Sequence, residues 1–448
     1  MRVLYVVFDT LRADHLSCYG YFRPTSPNID RIASEGVLFS NAYPTDVPTQ
    51  PSYTAMFSGK RGISTGVVSH ADEYLPDDAL WFPQILVSKG YTTCAVSTLY
   101  HMKKWFARGF QYYMNPLAGD VRLTQRVTAD QINSMAIPWL KTHRKDNFFM
   151  FVHYWDVHTI YAPPSRYKRL YYQGDEKDPD NHSLEGIKES LAYPFVKRLL
   201  DAMGKGITDI EYVIAQYDAE ITYVDEKFGE LVATLEELNI LNDTLIILTS
   251  DHGESLGEHN IYFDHADVYE PTIHVPLIFH HPDLPRGKKI EALVQLIDIA
   301  PTVLEFFGVD IPDEFEGKSL FPLLKGERTE QYKEVFTNQG LWQATRMMRN
   351  KRWKLIKCID NGFWNLPSTE LYDLQSDPKE LKNLVEERRE IVDELELKFH
   401  RWVTEHLGKH TDPLRRIAEK GLPPKKRLKK LIEEEKGTYD EWRRKMGW

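Results

Sequence analysis

Short, almost unbroken apolar runs recur along the chain at Val3–Phe8, Thr93–Ser97, Phe148–Tyr154, Leu245–Thr249 and Pro276–Phe279. Runs this short, without polar alternation, are the pattern of parallel strands covered by helices on both faces. The segments between them read as helices. Asn28–Gly36 and Pro83–Gly90 each end in glycine, and Asp298–Gly308 offers an N-cap aspartate, an early proline and a closing glycine. The expected fold is α/β, with a large mixed, mostly parallel sheet sandwiched by helices over residues 1–335. From about residue 336 the pattern changes to alternating, aromatic-rich segments, Met347–Lys357 and Glu370–Leu374, expected to form a smaller antiparallel sheet. A helix over Pro378–His406 and a basic tail follow, so that 336–448 forms a smaller α+β unit. The polar stretch Gln173–Asp209 reads as an insertion loop or lid.

Composition narrows the class. The 448 residues carry a net charge of −10, which argues against general affinity for nucleic acid. The charge is unevenly spread, because twelve Lys/Arg against six Asp/Glu from Arg415 onward leave −16 for the rest. That tail reads as a solvated helix, with contact to an anionic partner as the alternative. The longest apolar run near the start is far short of the ~20 residues of a membrane span, and no cleavage site follows it, so a cytoplasmic protein is expected. The three cysteines, Cys18, Cys94 and Cys358, are too few and too scattered for a disulfide framework and read as packed thiols.

The candidate chemistry lies at strand ends. Asp9 follows the first apolar run directly, and Asp251-His252 follows the Leu245–Thr249 run with only Ser250 between, where ligands bind in open α/β sheets. Two carboxylates and an imidazole converging there suit a divalent cation, with Mn²⁺, Mg²⁺, Ca²⁺ and Zn²⁺ all open. In Pro48–Lys60, Pro51 can open a helix and Gly59 can close it, which leaves Thr49 at the N-terminus. There it is either a helix cap or a metal-activated nucleophile.

Beyond these residues the chain closely resembles the sulfatase branch of the alkaline phosphatase superfamily. The resemblance is carried by Asp9-Thr10-Leu11-Arg12-Ala13-Asp14-His15, Cys18-Tyr19-Gly20-Tyr21, His153–His158, Tyr217–Ile221 with Tyr223-Val224-Asp225, Ser250–Glu254, Gly257-Glu258-His259 and Glu370–Leu374, in order over roughly residues 1–385. It implies that Asp9, Asp251 and His252 hold the metal and that Thr49 is the nucleophile completing its shell. It also implies that His158 and His265 reach the transferred group or the leaving oxygen.

The chain departs from the pattern at the nucleophile. Sulfatases carry Cys or Ser there, matured to formylglycine, followed by Pro-Ser-Arg; here Thr49 stands in a segment where Tyr53 replaces the arginine. No formylglycine is therefore expected. The family lysine after Gly90-Tyr91-Thr92 is replaced by Thr98, with His101 nearby. Threonine nucleophiles occur among relatives acting on phosphorus, so cleavage of a small-molecule phosphate mono- or diester is favoured over sulfate ester cleavage. A sulfuric ester hydrolase proper and a ligand-binding pseudoenzyme are the alternatives. One metal is preferred, and a second, held by Asp156, His158 and His265, stays open. Oligomeric state is not readable.

Overall fold

The computed structural model describes residues 1–71, 73–117, 127–190, 192–362, 366–422 and 433. Most of the basic tail beyond Leu422 lies outside the described residues. Fifteen strands are present among them: β1 (Arg2–Phe8), β2 (Val37–Tyr43), β3 (Asp46–Val47), β4 (Thr92–Val96), β5 (Tyr112–Met114), β6 (Phe148–Tyr154), β7 (Thr244–Ser250), β8 (Ser255–Leu256), β9 (Tyr262–Asp264), β10 (Leu277–His280), β11 (Lys288–Gln295), β12 (Val335–Gln339), β13 (Ala344–Arg349), β14 (Trp353–Asp360) and β15 (Thr369–Asp373). Eight form the main sheet, in the order β11-β2-β10-β7-β1-β6-β4-β5.

Strand β1 lies in the middle, parallel to β6 and β7 in register from Arg2 to Phe8. Its side chains alternate between two cores. Leu4, Val6 and Phe8 enter one, with the helices Pro27–Glu35, Ala129–His143 and Ile210–Glu237. Val3, Tyr5 and Val7 enter the other, with the helices Thr49–Ser58, Phe82–Ser88 and Ile299–Phe306. Both faces of the sheet are thus covered, which explains why its strands read as continuous apolar runs.

One run departs from the expected direction: β10, read as parallel from Pro276–Phe279, is antiparallel to both β7 and β2. Residues 251–276, which hold β8, β9 and the helix Glu270–Ile273, bring the chain back to the edge where β7 ends, so β10 starts beside Thr249 and runs the other way. Strands β2 and β11 had no clear signature in the sequence, because Ser40 and Asn41 interrupt the first and Lys288, Lys289 and Glu291 the second.

The second sheet has the order β15-β14-β13-β12-β3 and is antiparallel, except that β12 runs parallel to β3, a piece of the N-terminal part of the chain. The two sheets are joined by this strand and by buried ions. Lys354 on β14 is fully buried and meets Glu380 Oε1 at 2.6 Å and Glu270 Oε1 at 3.1 Å, while Arg349 on β13 meets Glu270 Oε2 at 2.8 Å.

Three local expectations change. Asp298 does not cap its own helix; its carboxylate accepts the backbone N–H of Gln295 at 3.1 Å and of Lys318 at 2.8 Å. The helix expected from Pro378 begins at Arg389, because Asp373 and Asp377 first hold the chain in turns through the N–H groups of Gln375 and Lys382. The stretch Gln173–Asp209 contains the helix Tyr193–Met203, and Leu184, Ile187 and Val196 pack into the main core, so it is a docked element rather than an irregular loop. The cysteine thiols are free, with Cys94 buried and the other two half-buried.

Removing one partner of a buried ion cluster strands the others without water or counter-charge. Lys354→Met is therefore expected to lower stability by about 3–5 kcal/mol, measured by denaturant unfolding; a loss within error would show that the cluster adds nothing to the joint between the sheets.

Candidate active site

The carboxyl ends of β1, β6, β7 and β4 all open on one edge of the main sheet, and the N-terminus of the helix Thr49–Ser58 faces it. Serine hydroxyls bind the strand ends together. Ser250 Oγ accepts the N–H of Leu11 at 2.9 Å, and Ser52 Oγ donates to the carbonyl of Asp251 at 2.8 Å, pinning the helix to the end of β7. The glycine of Asp-His-Gly-Glu is required by space, since a Cβ on Gly253 would lie 2.1 Å from the carbonyl of Pro271. At the far end of the helix, Gly59 adopts φ +64° and closes it, as expected for a C-terminal glycine.

Asp9, Asp251 and His252 are fully buried, and their ligand atoms lie within 4.8 Å of one another, the one such group among the described residues. Each carboxylate is anchored through one oxygen, and Asp251 Oδ2 lies 3.3 Å from His252 Nε2. Asp9 Oδ2 faces His153 Nε2 at 3.3 Å, whose Nδ1 lies 3.2 Å from Ser97 Oγ. Asp251 Oδ1 accepts the N–H of Thr10 at 3.3 Å. Thr10 is held at φ +56°, uncommon for a β-branched residue, and strain of this kind gathers at functional sites. Asp9 Oδ1 and Asp251 Oδ2 are buried and have no hydrogen-bond partner.

That arrangement has an electrostatic consequence. Burial, and then the charge of Asp251, pushes the Asp9 carboxyl well above its usual range, and burial pushes Asp251 up to about 7. Two orphaned carboxylate oxygens beside an imidazole, in a place that resists negative charge, fit a divalent cation.

The histidines are fixed in one tautomer. His252 Nδ1 donates to the carbonyl of Gly253 at 2.9 Å and His158 Nδ1 to the carbonyl of Thr159 at 2.7 Å. His265 Nδ1 lies 3.3 Å from Glu254 Oε1; Thr159 donates to the same oxygen at 2.7 Å, and Tyr161 to the other. Glu254, accepting on both oxygens, leaves the proton of His265 on Nδ1. All three therefore leave Nε2 without the proton. His252 Nε2 lies 3.1 Å from Thr49 Oγ1. The ring of His265 is 4.5 Å from His252 and 5.4 Å from His158, which stacks on Trp155 at 4.8 Å. Burial lowers the pKa of each, to about 4 for His252, and neighbouring imidazoles lower it further for His158 and His265.

All six residues singled out from the sequence are thus brought to one place. Thr49 is not the helix cap; it lies in the first turn behind Pro48, and its hydroxyl makes no capping bond. Asp156 is not with the histidines: its Oδ2 accepts the N–H of Ala129 at 2.9 Å, at the start of the helix Ala129–His143. The set weighed for a second cation is therefore not assembled. His153 and Glu254 went unassigned in the sequence, the first hidden inside an apolar strand, the second inside a motif whose neighbours drew the attention. Tyr53 is fully buried with its ring 5.1 Å from that of His153, and its hydroxyl has no partner; Thr98 is buried as well. Neither position supplies positive charge.

Two carboxylates and an imidazole thus meet, buried, at the carboxyl edge of a doubly covered α/β sheet. A family model described as Sulfatase matches residues 2–309, and the chain belongs to the sulfatase family of hydrolases. A second model, N-sulphoglucosamine sulphohydrolase, C-terminal, matches residues 257–405. The chain is 26% identical to an N-acetylglucosamine-6-O-sulfatase of Bacteroides thetaiotaomicron, over 86% of this chain and 82% of the relative. It is 26% identical to arylsulfatase K of Gallus gallus, over 83% and 76% respectively. Among solved structures, one in complex with its substrate D-glucosamine-2-N,6-O-disulfate has a TM-score of 0.74 at 22% identity, covering 92% of this chain and 99% of that one. The phosphonate monoester hydrolase of Agrobacterium radiobacter has a TM-score of 0.72 at 20% identity, covering 91% and 96%. These structures share the fold. No helix among the described residues is long and apolar enough to cross a membrane.

Asp251→Ala removes one orphaned oxygen and the anchor of Thr10, so it is expected to lose tight binding of divalent metal while keeping the fold. Elemental analysis of the purified variant checks this; unchanged metal content would show that the cation sits elsewhere.

Proposed function

We propose that the chain is a metal-dependent hydrolase that cleaves phosphate mono- or diesters through Thr49. The observation that carries this reading is the position of the Thr49 hydroxyl, 3.1 Å from His252 Nε2 in the first turn of its helix, beside two carboxylates whose orphaned oxygens call for a cation. Asp9, Asp251 and His252, with Thr49, would hold that cation. When bound, it lowers the pKa of the hydroxyl and neutralises charge on the ester.

The chemistry of the side chain then favours phosphorus. A threonine cannot give the aldehyde that sulfatases use, whereas a threonine alkoxide gives a phosphate ester that water can hydrolyse. In the reading proposed, Thr49 Oγ1 bonds to phosphorus as the leaving oxygen departs, and water then regenerates the hydroxyl. His158 and His265 present Nε2 to the transferred group. Both are neutral in the free site, and an anionic ester beside them supplies the counter-charge that favours their protonation and hence proton donation to the leaving oxygen. Cleavage of sulfate esters is the second reading, favoured by relatives named as sulfatases, two of which cover more than four-fifths of this chain.

The test is a panel of p-nitrophenyl phosphate, phosphodiester, phosphonate and sulfate, each with Mn²⁺, Mg²⁺, Ca²⁺ and Zn²⁺. Higher kcat/KM on the phosphate esters is expected; preference for the sulfate would establish the second reading, and bound metal without turnover would point to a pseudoenzyme. Thr49→Ala is expected to lower kcat by at least about 10³-fold, and near-normal turnover would remove the covalent step. His158→Ala or His265→Ala is expected to slow alkyl esters about 10²–10⁴-fold, and p-nitrophenyl esters far less, because a good leaving group needs no proton. Equal losses on both would assign the histidines to the non-bridging oxygens instead.

A further inference from the structure

His70 and Lys103 have no part in the chemistry above, yet both are tied to the loop that packs on Gln50, the residue after Thr49. Gln50, the following residue, donates its backbone N–H to His70 Nε2 at 3.0 Å and its side-chain amide to Glu73 Oε2 at 3.2 Å. Glu73 also accepts the N–H groups of Val68 at 2.9 Å and Ser69 at 3.2 Å, closing the loop upon itself. Lys103 Nζ donates to the carbonyl of Glu73 at 3.2 Å. Four residues from three segments are thus fixed around the start of the helix that carries Thr49.

Two consequences follow. The helix start offers an anion fewer donors than helix ends usually do, because Pro51 has no N–H and His70 already occupies that of Gln50. A bound oxyanion must therefore find its donors among side chains. His70, accepting at Nε2, carries its proton on Nδ1, which bonds to no described residue, and the ring is only partly covered. Burial, then the neighbouring His265, His252 and His158, and then Lys103, lower its pKa to about 3, so it stays a neutral donor.

Resting on the reading of Thr49 as the reacting residue, we propose that His70 Nδ1–H and the Lys103 ammonium form the oxyanion-binding wall of the pocket, gripping the charged oxygens of the bound ester. They supply the positive and donor groups that Tyr53 and Thr98 do not. An ammonium on a flexible stem and one imidazole donor recognise a tetrahedral oxyanion, whether phosphoryl or sulfuryl.

The experiment is calorimetric titration of the metal-loaded full chain with inorganic phosphate and, separately, with inorganic sulfate. Lys103→Met and His70→Ala are each expected to weaken binding of the preferred anion by at least about tenfold, with metal content unchanged. His70→Asn, which keeps an N–H near the position of Nδ1–H, is expected to recover part of the affinity, a rescue that a merely structural role would not give. Unchanged affinity in both Lys103→Met and His70→Ala overturns the wall, as does loss of metal from either variant. Failure of the wild type to bind either anion overturns it too. Binding is read at equilibrium, so it is decided separately from turnover through Thr49, which the ester panel decides.

Discussion

The site depends on one constraint, the burial of two carboxylates side by side at the ends of adjacent parallel strands. Asp9 and Asp251 are fully covered, each with one oxygen anchored and one left without a hydrogen-bond partner. Such a pair is costly as it stands, because burying charge without a partner costs several kcal/mol per ion. A divalent cation removes that cost, and the same cation would give the Thr49 hydroxyl its reactivity. The anchors show how the fold keeps the orphaned oxygens available: His153 holds Asp9 from one side, and the left-handed backbone at Thr10 turns its N–H to Asp251.

Beside this pair stand His252, His158 and His265. Three imidazoles lie within a few ångströms of one another, and each has its Nδ1 committed to a carbonyl or to Glu254. Burial first, and for His158 and His265 also the neighbouring imidazoles, lowers their pKa values. The family lineage supplies the sheet, the strand ends and the metal-type cluster, while the replacements at positions 49 and 53 alter what the pocket can do. In the reading proposed, a buried phenol at position 53 leaves the pocket without a fixed charge there, and threonine at position 49 would close the aldehyde route. The proposed phosphoryl transfer to a hydroxyl rests on these two positions.

Much of this was legible in the sequence wherever a function-bearing residue sat at the border of a pattern. Asp9 and Asp251 end apolar runs, and that border is the carboxyl edge of the sheet. Thr49 stands just before a proline able to open a helix. His153 was illegible for the opposite reason: inside Phe148–Tyr154 a histidine reads as one more covered strand position. Strand β3 is two residues long and exists only because β12 pairs with it, and His70 reaches Gln50 only through the tertiary fold. The direction of β10 was missed because apolar continuity reports burial on both faces and says nothing about polarity.

The central claim is that Thr49 carries the transferred group. Phosphothreonine survives acid quenching, so the metal-loaded protein can be mixed with p-nitrophenyl phosphate, quenched in acid during the first turnover, digested and mapped by mass spectrometry. The account predicts a peptide containing Thr49 heavier by one phosphoryl group, absent from Thr49→Ala. Turnover with no modified peptide at any quench time would contradict it and leave direct attack by water as the mechanism.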